Sequence, residues 1–219
     1  MELVQNEAMP LLTSALVPVG SLASSDQPTL DADGLTLRPW THHDADTLVT
    51  AYTDPAIRYW HARTMTDRDD AVTWVDERHE LWAGEQSADW AVTDGPTIVG
   101  RVALHHFNLH EGVMEVGYWV LPQARRRGVA ARSVAGAVRW AFDDVGLLRV
   151  ELEHSTLNEP SCRVAGVLGF ELEGVRRAHY LQTDGRHDTH LHARLAPGVT
   201  SVPPGDTAIG GQAGPAARA

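Results

Sequence analysis

EVGYWVLPQARRRGVAARSV, Glu115 to Val134, changes its period halfway along. As far as Leu121 it is rich in aromatic and β-branched residues, the habit of a strand, and Pro122 stops it. From Val129 the apolar positions return nearly every fourth residue, so Val134, Val138, Phe142 and Val145 share one helix face. Between strand and helix stand Arg125, Arg126, Arg127 and Gly128. From Val116 to Phe142 there are five arginines and no acid, in a chain whose formal net charge is −11. The first turn of a helix has unpaired N–H groups and partial positive charge, so this junction suits phosphate oxygens. A solvated surface turn has the same look, and the glycine spacings of a P-loop or a dinucleotide fingerprint are absent.

The pattern outside this stretch is mixed. LTLRPW (35–40) reads as a short strand, and Asp44 to Tyr52 and Asp67 to Trp82 as helices, the second with Val72, Val75 and Trp82 toward one side. Residues 89–107 read as two strands joined at Asp94-Gly95-Pro96, and 114–121 as a third. LLRVELEH (147–154) is again a strand; Asn158 is placed to cap a short helix ending at Gly169. FELEGVRRAHY and HDTHLHARL close the pattern as an antiparallel pair. The order β-α-α-β-β-β-α-β-α-β-β predicts an α/β fold with a single mixed sheet and helices on its faces. Residues 1–33 lack sustained periodicity and are expected to be a partly disordered extension. The domain is expected over 34–196, followed by a disordered Pro/Gly-rich tail over 197–219. Residues 30–196 are therefore expected to fold alone.

Composition removes several functions. All 18 basic residues are arginine, so Schiff-base, pyridoxal-phosphate and lysine-base chemistry is excluded. The acidic pI of about 5.4 argues against nucleic acid as a partner. No window reaches the roughly 18 apolar residues of a membrane span. The acidic start MELVQNE, with Pro10 and Pro18 breaking the apolar run beyond it, is unlike a targeting segment, so the cytoplasm is expected. Cys162 is the one cysteine, which leaves no disulfide and no cysteine-based metal cluster. The spacing His187-x-x-His190-x-His192 invites a metal, but half-exposed histidines on a terminal strand would look alike, and no metal is expected.

The segment Arg125 to Ala130, following a strand that ends in proline and opening an amphipathic helix, resembles the acetyl-coenzyme A loop of GNAT acyltransferases. Met114-Glu115-Val116-Gly117-Tyr118-Trp119, Asn158-Glu159-Pro160-Ser161 and Gly169-Phe170-Glu171-Leu172-Glu173-Gly174 resemble the RimJ/RimL branch. The resemblance runs from about Leu35 to Leu195; Ala130 stands where glycine is commoner in the loop. It implies the GNAT acyl-CoA N-acyltransferase fold, with splayed central parallel strands. It also implies acetyl-CoA as co-substrate, with no metal, and a primary amine of a small molecule or peptide as acceptor. Arg125, Arg126, Arg127, Gly128, Val129 and Ala130 would then hold the pyrophosphate. Backbone groups of Trp119, Val120 and Leu121 would pair with the pantetheine arm, and Asn158 would bond it.

Glu115 is the general base that the resemblance implies, with Glu153 as the other candidate, and Ser161 the group facing the leaving sulfur. Helix capping explains Asn158 and Ser161 equally well, and a solvated face explains Glu151 with Glu153. Thr41 to Asp94 carries twelve acids against four arginines, a negative wall suited to a cationic amine. Tyr59, Trp60 and His61, in the loop between the first two helices, are candidate acceptor contacts. A homodimer stays open. The competing reading is a non-catalytic acyl-CoA-binding module.

Overall fold

The computed structural model describes residues 12–201. Its strands are β1 (Leu30–Asp31), β2 (Thr36–Pro39), β3 (Ser87–Asp94), β4 (Thr97–Asn108), β5 (Val113–Val120), β6 (Arg149–Ser155), β7 (Glu171–Gln182) and β8 (Gly185–Leu195). They form one sheet in the order β1-β2-β3-β4-β5-β6-β8-β7. The helices are α1 (Ala45–Ala51), α2 (Pro55–His61), α3 (Arg68–Ala83), α4 (Val129–Asp143) and α5 (Glu159–Val167). Every neighbouring pair is antiparallel except β5 with β6.

Helices cover both faces, so β3 is buried along almost its whole length and Trp90 and Ala91 look into different cores. On one face α4 packs Val134, Ala137, Val138 and Ala141 against Val102, Leu104, Val116 and Leu152. On the other, α1 to α3 pack Leu48, Ile57, Trp74 and Val75 around Trp40 and Trp119. The buried stripe of α3 is Ala71, Trp74, Val75 and Trp82, with Val72 only half-buried.

Two elements escape the sequence pattern. Helix α2 lies where a loop was expected; Asp54 caps it, accepting from the Ile57 N–H at 2.9 Å, and Pro55 opens it. The second is the segment before β1. Val17 and Leu22 are buried in the α4-side core, and the Glu85 carboxylate accepts from the backbone N–H groups of Gly20, Leu22 and Ala23. Trp82 and Trp90 donate their indole N–H groups to the Ser25 and Pro28 carbonyls at 3.0 and 2.8 Å. Residues 12–33 thus pack on the domain, correcting the view that nothing before residue 34 builds core. Their pattern was illegible because two apolar anchors and a set of backbone hydrogen bonds hold them, with no period to read. Residues 1–11 and 202–219, where the tail was expected, lie outside the described residues.

Leu22→Ala is expected to cost about 2–3 kcal/mol, the worth of a nearly buried leucine, and deletion of residues 1–29 to cost more. Urea unfolding measures both. An unchanged midpoint in the shortened chain would mean that the segment adds nothing to stability.

Candidate active site

The site begins where the one parallel pairing stops. β5 and β6 are in register at Val113 with Arg149, Met114 with Val150 and Glu115 with Glu151, and no further. Beyond this apex β5 continues to Val120 beside β4, while β6 continues to Ser155 beside β8. The diverging strands open a cleft of about 980 Å³.

Strand alternation decides which groups the cleft receives. The Leu121 N–H bonds the Val99 carbonyl at 3.0 Å, so odd-numbered β5 residues direct their backbone at β4. Val116, Tyr118 and Val120 direct theirs into the fork, where Arg125 Nε meets the Val120 carbonyl at 3.1 Å. Of the three backbone sites expected from sequence, Val120 therefore opens on the cleft. Trp119 pairs with β4, the Leu121 N–H goes to Val99 and its carbonyl accepts from the Ala124 N–H, and both side chains are buried in the α1–α3 core. Side chains alternate as well. Tyr118 packs on the α4 side of the sheet and Trp119 on the α1–α3 side. Glu115, in step with Trp119, shares the α1–α3 side, and the fork joins the two faces.

At the α4 junction the five arginines part company. Arg125 pairs with Asp54 at 2.6 Å and Arg127 with Asp94 at 2.8 Å. Arg132 and Arg139 donate to the Asp33 and Asp31 carbonyls at 2.8 and 2.7 Å, tying α4 to the strand before the domain. Gly136 permits that approach, since a Cβ there would lie 2.7 Å from Ala32 Cβ. Among the described residues Arg126 has no side-chain partner, and it lines the cleft. Gly128 caps α4 at φ 74°, a conformation glycine adopts without penalty, and Arg126 also has positive φ at 64°. Gly128, Val129 and Ala130 line the same end of the cleft. Their N–H groups precede the first intrahelical bond, from the Arg132 N–H to the Gly128 carbonyl.

Glu115 stands at the apex with 18% of its side chain exposed. Burial pushes its carboxyl above the ordinary range, the His106 hydrogen bond pulls it down, and the neighbouring Glu153 and Glu151 charges push it up again. His106 reaches it through a bulge: one extra β4 residue lies between the pairs His105–Glu115 and Asn108–Val113, and His106 takes φ 55°. Its Nδ1 sits 3.2 Å from the Glu115 carboxylate. Glu153 is buried too, but Arg176 pairs with it at 2.8 Å and the Thr189 hydroxyl donates to it. The alternative of a simple solvated face for Glu151 and Glu153 does not hold, since both are paired with arginine. A wide bulge in β7, between Arg176 and Tyr180, brings the Tyr180 phenol beside Glu115 and Glu153.

Asn158 caps α5, accepting from the Ser161 N–H at 3.3 Å, and both residues line the cleft. Capping and cleft exposure coexist. The Tyr118 hydroxyl donates to Ser161 Oγ at 3.2 Å, and burial pushes the phenol up to about 12. Ser161 and the Tyr118 hydroxyl thus approach from the α4 side and Glu115 from the other.

The expected acidic wall is absent from the cleft. Between Thr41 and Asp94 the lining residues are Ala56, Ile57, Trp60 and His61, all on α2. The acids of that region are engaged elsewhere: Asp44 with Arg38, Asp46 with Arg68, Asp89 with Arg101, and Asp67 and Asp70 in hydrogen bonds at the start of α3. Burial and the Arg101 charge lower His61 to about 4, and burial followed by His106 and Arg101 lowers His105 to about 3. Tyr59 donates to Asp184 at 2.7 Å; Asp184 meets His187, which meets Ser155 Oγ at 2.8 Å, so α2 is tied across the cleft to the β7–β8 turn. Trp60 and His61, candidate acceptor contacts from the sequence, line the cleft, while Tyr118, Tyr180, His105 and His106 are the cleft residues that sequence reasoning left without a firm role. Tyr118 lies within the motif; the histidines and Tyr180 depend on bulges and on α2, which leave no periodic mark.

An eight-stranded mixed sheet forked at its parallel pair, with an arginine–glycine turn opening the helix beside the fork, defines a class of acyl-transferring proteins. The family profile described as acetyltransferase (GNAT) domain matches residues 34–171. The chain belongs to that family and is an N-acetyltransferase. It is 27% identical over 173 residues to the uncharacterized N-acetyltransferase YoaA of Bacillus subtilis (strain 168), covering 78% of this chain and 98% of the relative. RimJ of Mycobacterium smegmatis, solved in complex with CoA-disulfide, superposes with a TM-score of 0.71 at 19% identity, over 77% of this chain and 86% of that one. The microcin C7 self-immunity acetyltransferase MccE, solved with acetyl-CoA and AMP, gives 0.69 at 18% identity, over 74% and 93%.

Both cleft histidines are expected to be neutral at pH 7, with His61 titrating near 4 and His105 near 3. Because these values lie below the unfolded value of roughly 6.5, their contribution to stability is complete above that pH and is lost as pH falls below it. Ring-proton NMR titration checks the values; either ring titrating near 6.5 in the folded protein would contradict the assigned burial.

Proposed function

We propose that the chain transfers the acetyl group of acetyl-CoA to a primary amine by direct attack, with Glu115 as general base. The carrying observation is the placement of Glu115 at the apex of the fork, a half-buried carboxylate without an arginine partner among the described residues. The diphosphate fits the α4 N-terminus, where the Gly128, Val129 and Ala130 N–H groups and the Arg126 guanidinium converge. The pantetheine arm fits the open β5 edge at Tyr118 and Val120. The amine enters from the α2 side, past Trp60 and His61, and arrives mostly protonated because an alkylamine has a pKa of roughly 10.

Glu115 takes that proton, directly or through water, and the nitrogen lone pair forms the C–N bond at the thioester carbonyl. The C–S bond then breaks. The departing thiolate takes a proton from Ser161, which is resupplied by the Tyr118 phenol. The second proton, shed by the nitrogen as the amide forms, passes through solvent to restore Tyr118, and Glu115 releases its own to solvent. An aromatic, largely uncharged acceptor wall favours an amine whose body is apolar or aromatic and whose one charge faces Glu115. Protein N-termini and small-molecule amines both meet that description. Glu153 suits the base role less, because a base already ion-paired to Arg176 must lose that pairing to take a proton.

Glu115→Gln is expected to lower kcat by about 10²–10⁴-fold, the usual worth of a general base, and to leave acetyl-CoA affinity nearly unchanged. Ser161→Ala should cost less. Wild-type activity in Glu115→Gln would remove Glu115 from the role. Since the Glu115 carboxyl lies above the ordinary range, the reactive carboxylate grows in only as pH rises through that raised value. The acidic limb of kcat should accordingly lie above the ordinary carboxylate range. His106→Ala, which deletes a bond favouring the charged form, should move it to higher pH. A limb that moves down or stays fixed would contradict the pairing. Arg126→Glu should weaken acetyl-CoA binding at least tenfold, about 1.4 kcal/mol, by calorimetry.

A further inference from the structure

Behind the α5 wall of the cleft, four soft or borderline ligands converge from three elements. His154 lies on β6, Cys162 on α5, and His190 and His192 on β8. One ligand atom from each lies within 4.8 Å of all the others. Cys162 Sγ is 3.4 Å from His190 Nδ1. The sheet register explains the convergence, since His154 lies opposite His190, and His192 is the next residue on the same face of β8. On α5, Cys162 follows Ser161 and turns toward them.

The polar atoms of this cluster are short of partners. His154 and His192 are 5% and 7% exposed. His154 donates its Nδ1–H to the Ser155 carbonyl at 2.8 Å, which fixes the tautomer and leaves the Nε2 lone pair buried with no hydrogen bond. Both ring nitrogens of His192 are buried without a bond; the Phe170 carbonyl lies near but outside bonding geometry. Buried polar atoms are nearly always satisfied, so two neighbouring rings that each bury an orphan nitrogen call for a missing partner. A hydrogen-bond donor would serve one lone pair; a cation serves one lone pair of each ring at once.

We propose that His154, Cys162, His190 and His192 form a tetrahedral site for a zinc-class divalent metal. Zinc bonds of about 2.0–2.1 Å to nitrogen and about 2.3 Å to sulfur put tetrahedral ligand atoms roughly 3.3–3.8 Å apart. The Cys162–His190 separation already has that value, and the remainder need close by about 1.5 Å at most. Three imidazoles and a thiolate select zinc over calcium or magnesium, and the His154–Ser155 bond supplies the outer-shell anchor that ligating histidines use. Binding releases the Cys162 proton to solvent and leaves every ligand neutral except the thiolate. Four protein ligands leave no position for substrate, so the site is structural: it pins the first turn of α5, with Asn158 and Ser161, to β6 and β8. The expectation of no metal arose because one cysteine and three spaced histidines make no motif; the fourth ligand, His154, comes from another strand.

Nothing in this assignment depends on the acyl-transfer mechanism, and its test is spectroscopic. The full chain is stripped with a chelator and titrated with cobalt(II). One equivalent should bind, giving a near-ultraviolet thiolate-to-cobalt charge-transfer band and tetrahedral visible bands that zinc displaces. Cys162→Ser should abolish the charge-transfer band, and His192→Phe should weaken binding at least 100-fold. His106→Ala, in the separate group His105, His106 and Glu115, should leave the spectrum unchanged. Zinc should raise the thermal midpoint of wild type and not of Cys162→Ser. Should His192→Phe fail to fold, Cys162→Ser at its half-buried position decides alone. Absent tetrahedral bands, an octahedral spectrum, or equal affinity in wild type and Cys162→Ser would overturn the site.

Discussion

Everything at the site depends on β5 and β6 parting after Glu115 and Glu151. In a continuous sheet the backbone groups of Val116, Tyr118 and Val120 would be consumed by the next strand. Here they lose a strand partner and open on the fork, where Arg125 Nε reaches the Val120 carbonyl. The loss is tolerated because each strand keeps its outer neighbour, β4 for β5 and β8 for β6. The same divergence opens a passage through the sheet. A thioester lying on the α4 side can thereby meet an amine arriving from the α2 side, with Ser161 and Tyr118 on one side and Glu115 on the other.

Charge is deployed around that passage with little left over. Asp44, Asp46, Asp54, Asp67 and Asp70 of the first helices are engaged in caps, hydrogen bonds and ion pairs, and four of the five arginines near α4 are engaged with Asp54, Asp94 and the carbonyls of residues 31 and 33. The phosphate end of the cleft keeps Arg126, and the apex keeps Glu115, a carboxylate with no arginine on it among the described residues. The buried Arg101–Asp89 pair, shared with the Trp40 indole, places a fixed positive charge behind His61 and His105. That charge helps keep both rings neutral, which leaves Glu115 as the ionisable group at the apex that the proposed mechanism uses as base.

Much of this was legible in the sequence. The change of period at Pro122, the arginine–glycine turn and the Asn158 cap are local signals, and the sheet confirms the fold they imply. The roles of individual side chains were less legible. Net charge along Thr41 to Asp94 could not show that Asp54 would face Arg125 or that Asp44 would face Arg38, because such pairings are made by tertiary contact. Bulges at His106 and Ala178 turn side chains toward Glu115 without altering the apolar pattern. Helix α2 has only seven residues, too few for a period, although Asp54-Pro55 is a start signal.

The open edge of β5 is central here, as the rail on which the donor would lie. Amide hydrogen exchange, measured residue by residue with and without acetyl-CoA, tests that role most directly. The Tyr118 and Val120 amides should slow markedly on donor binding. The Trp119 amide, directed at β4, should be protected in both states. Unchanged exchange at Tyr118 and Val120 under saturating donor, or protection appearing along β6 instead, would contradict it.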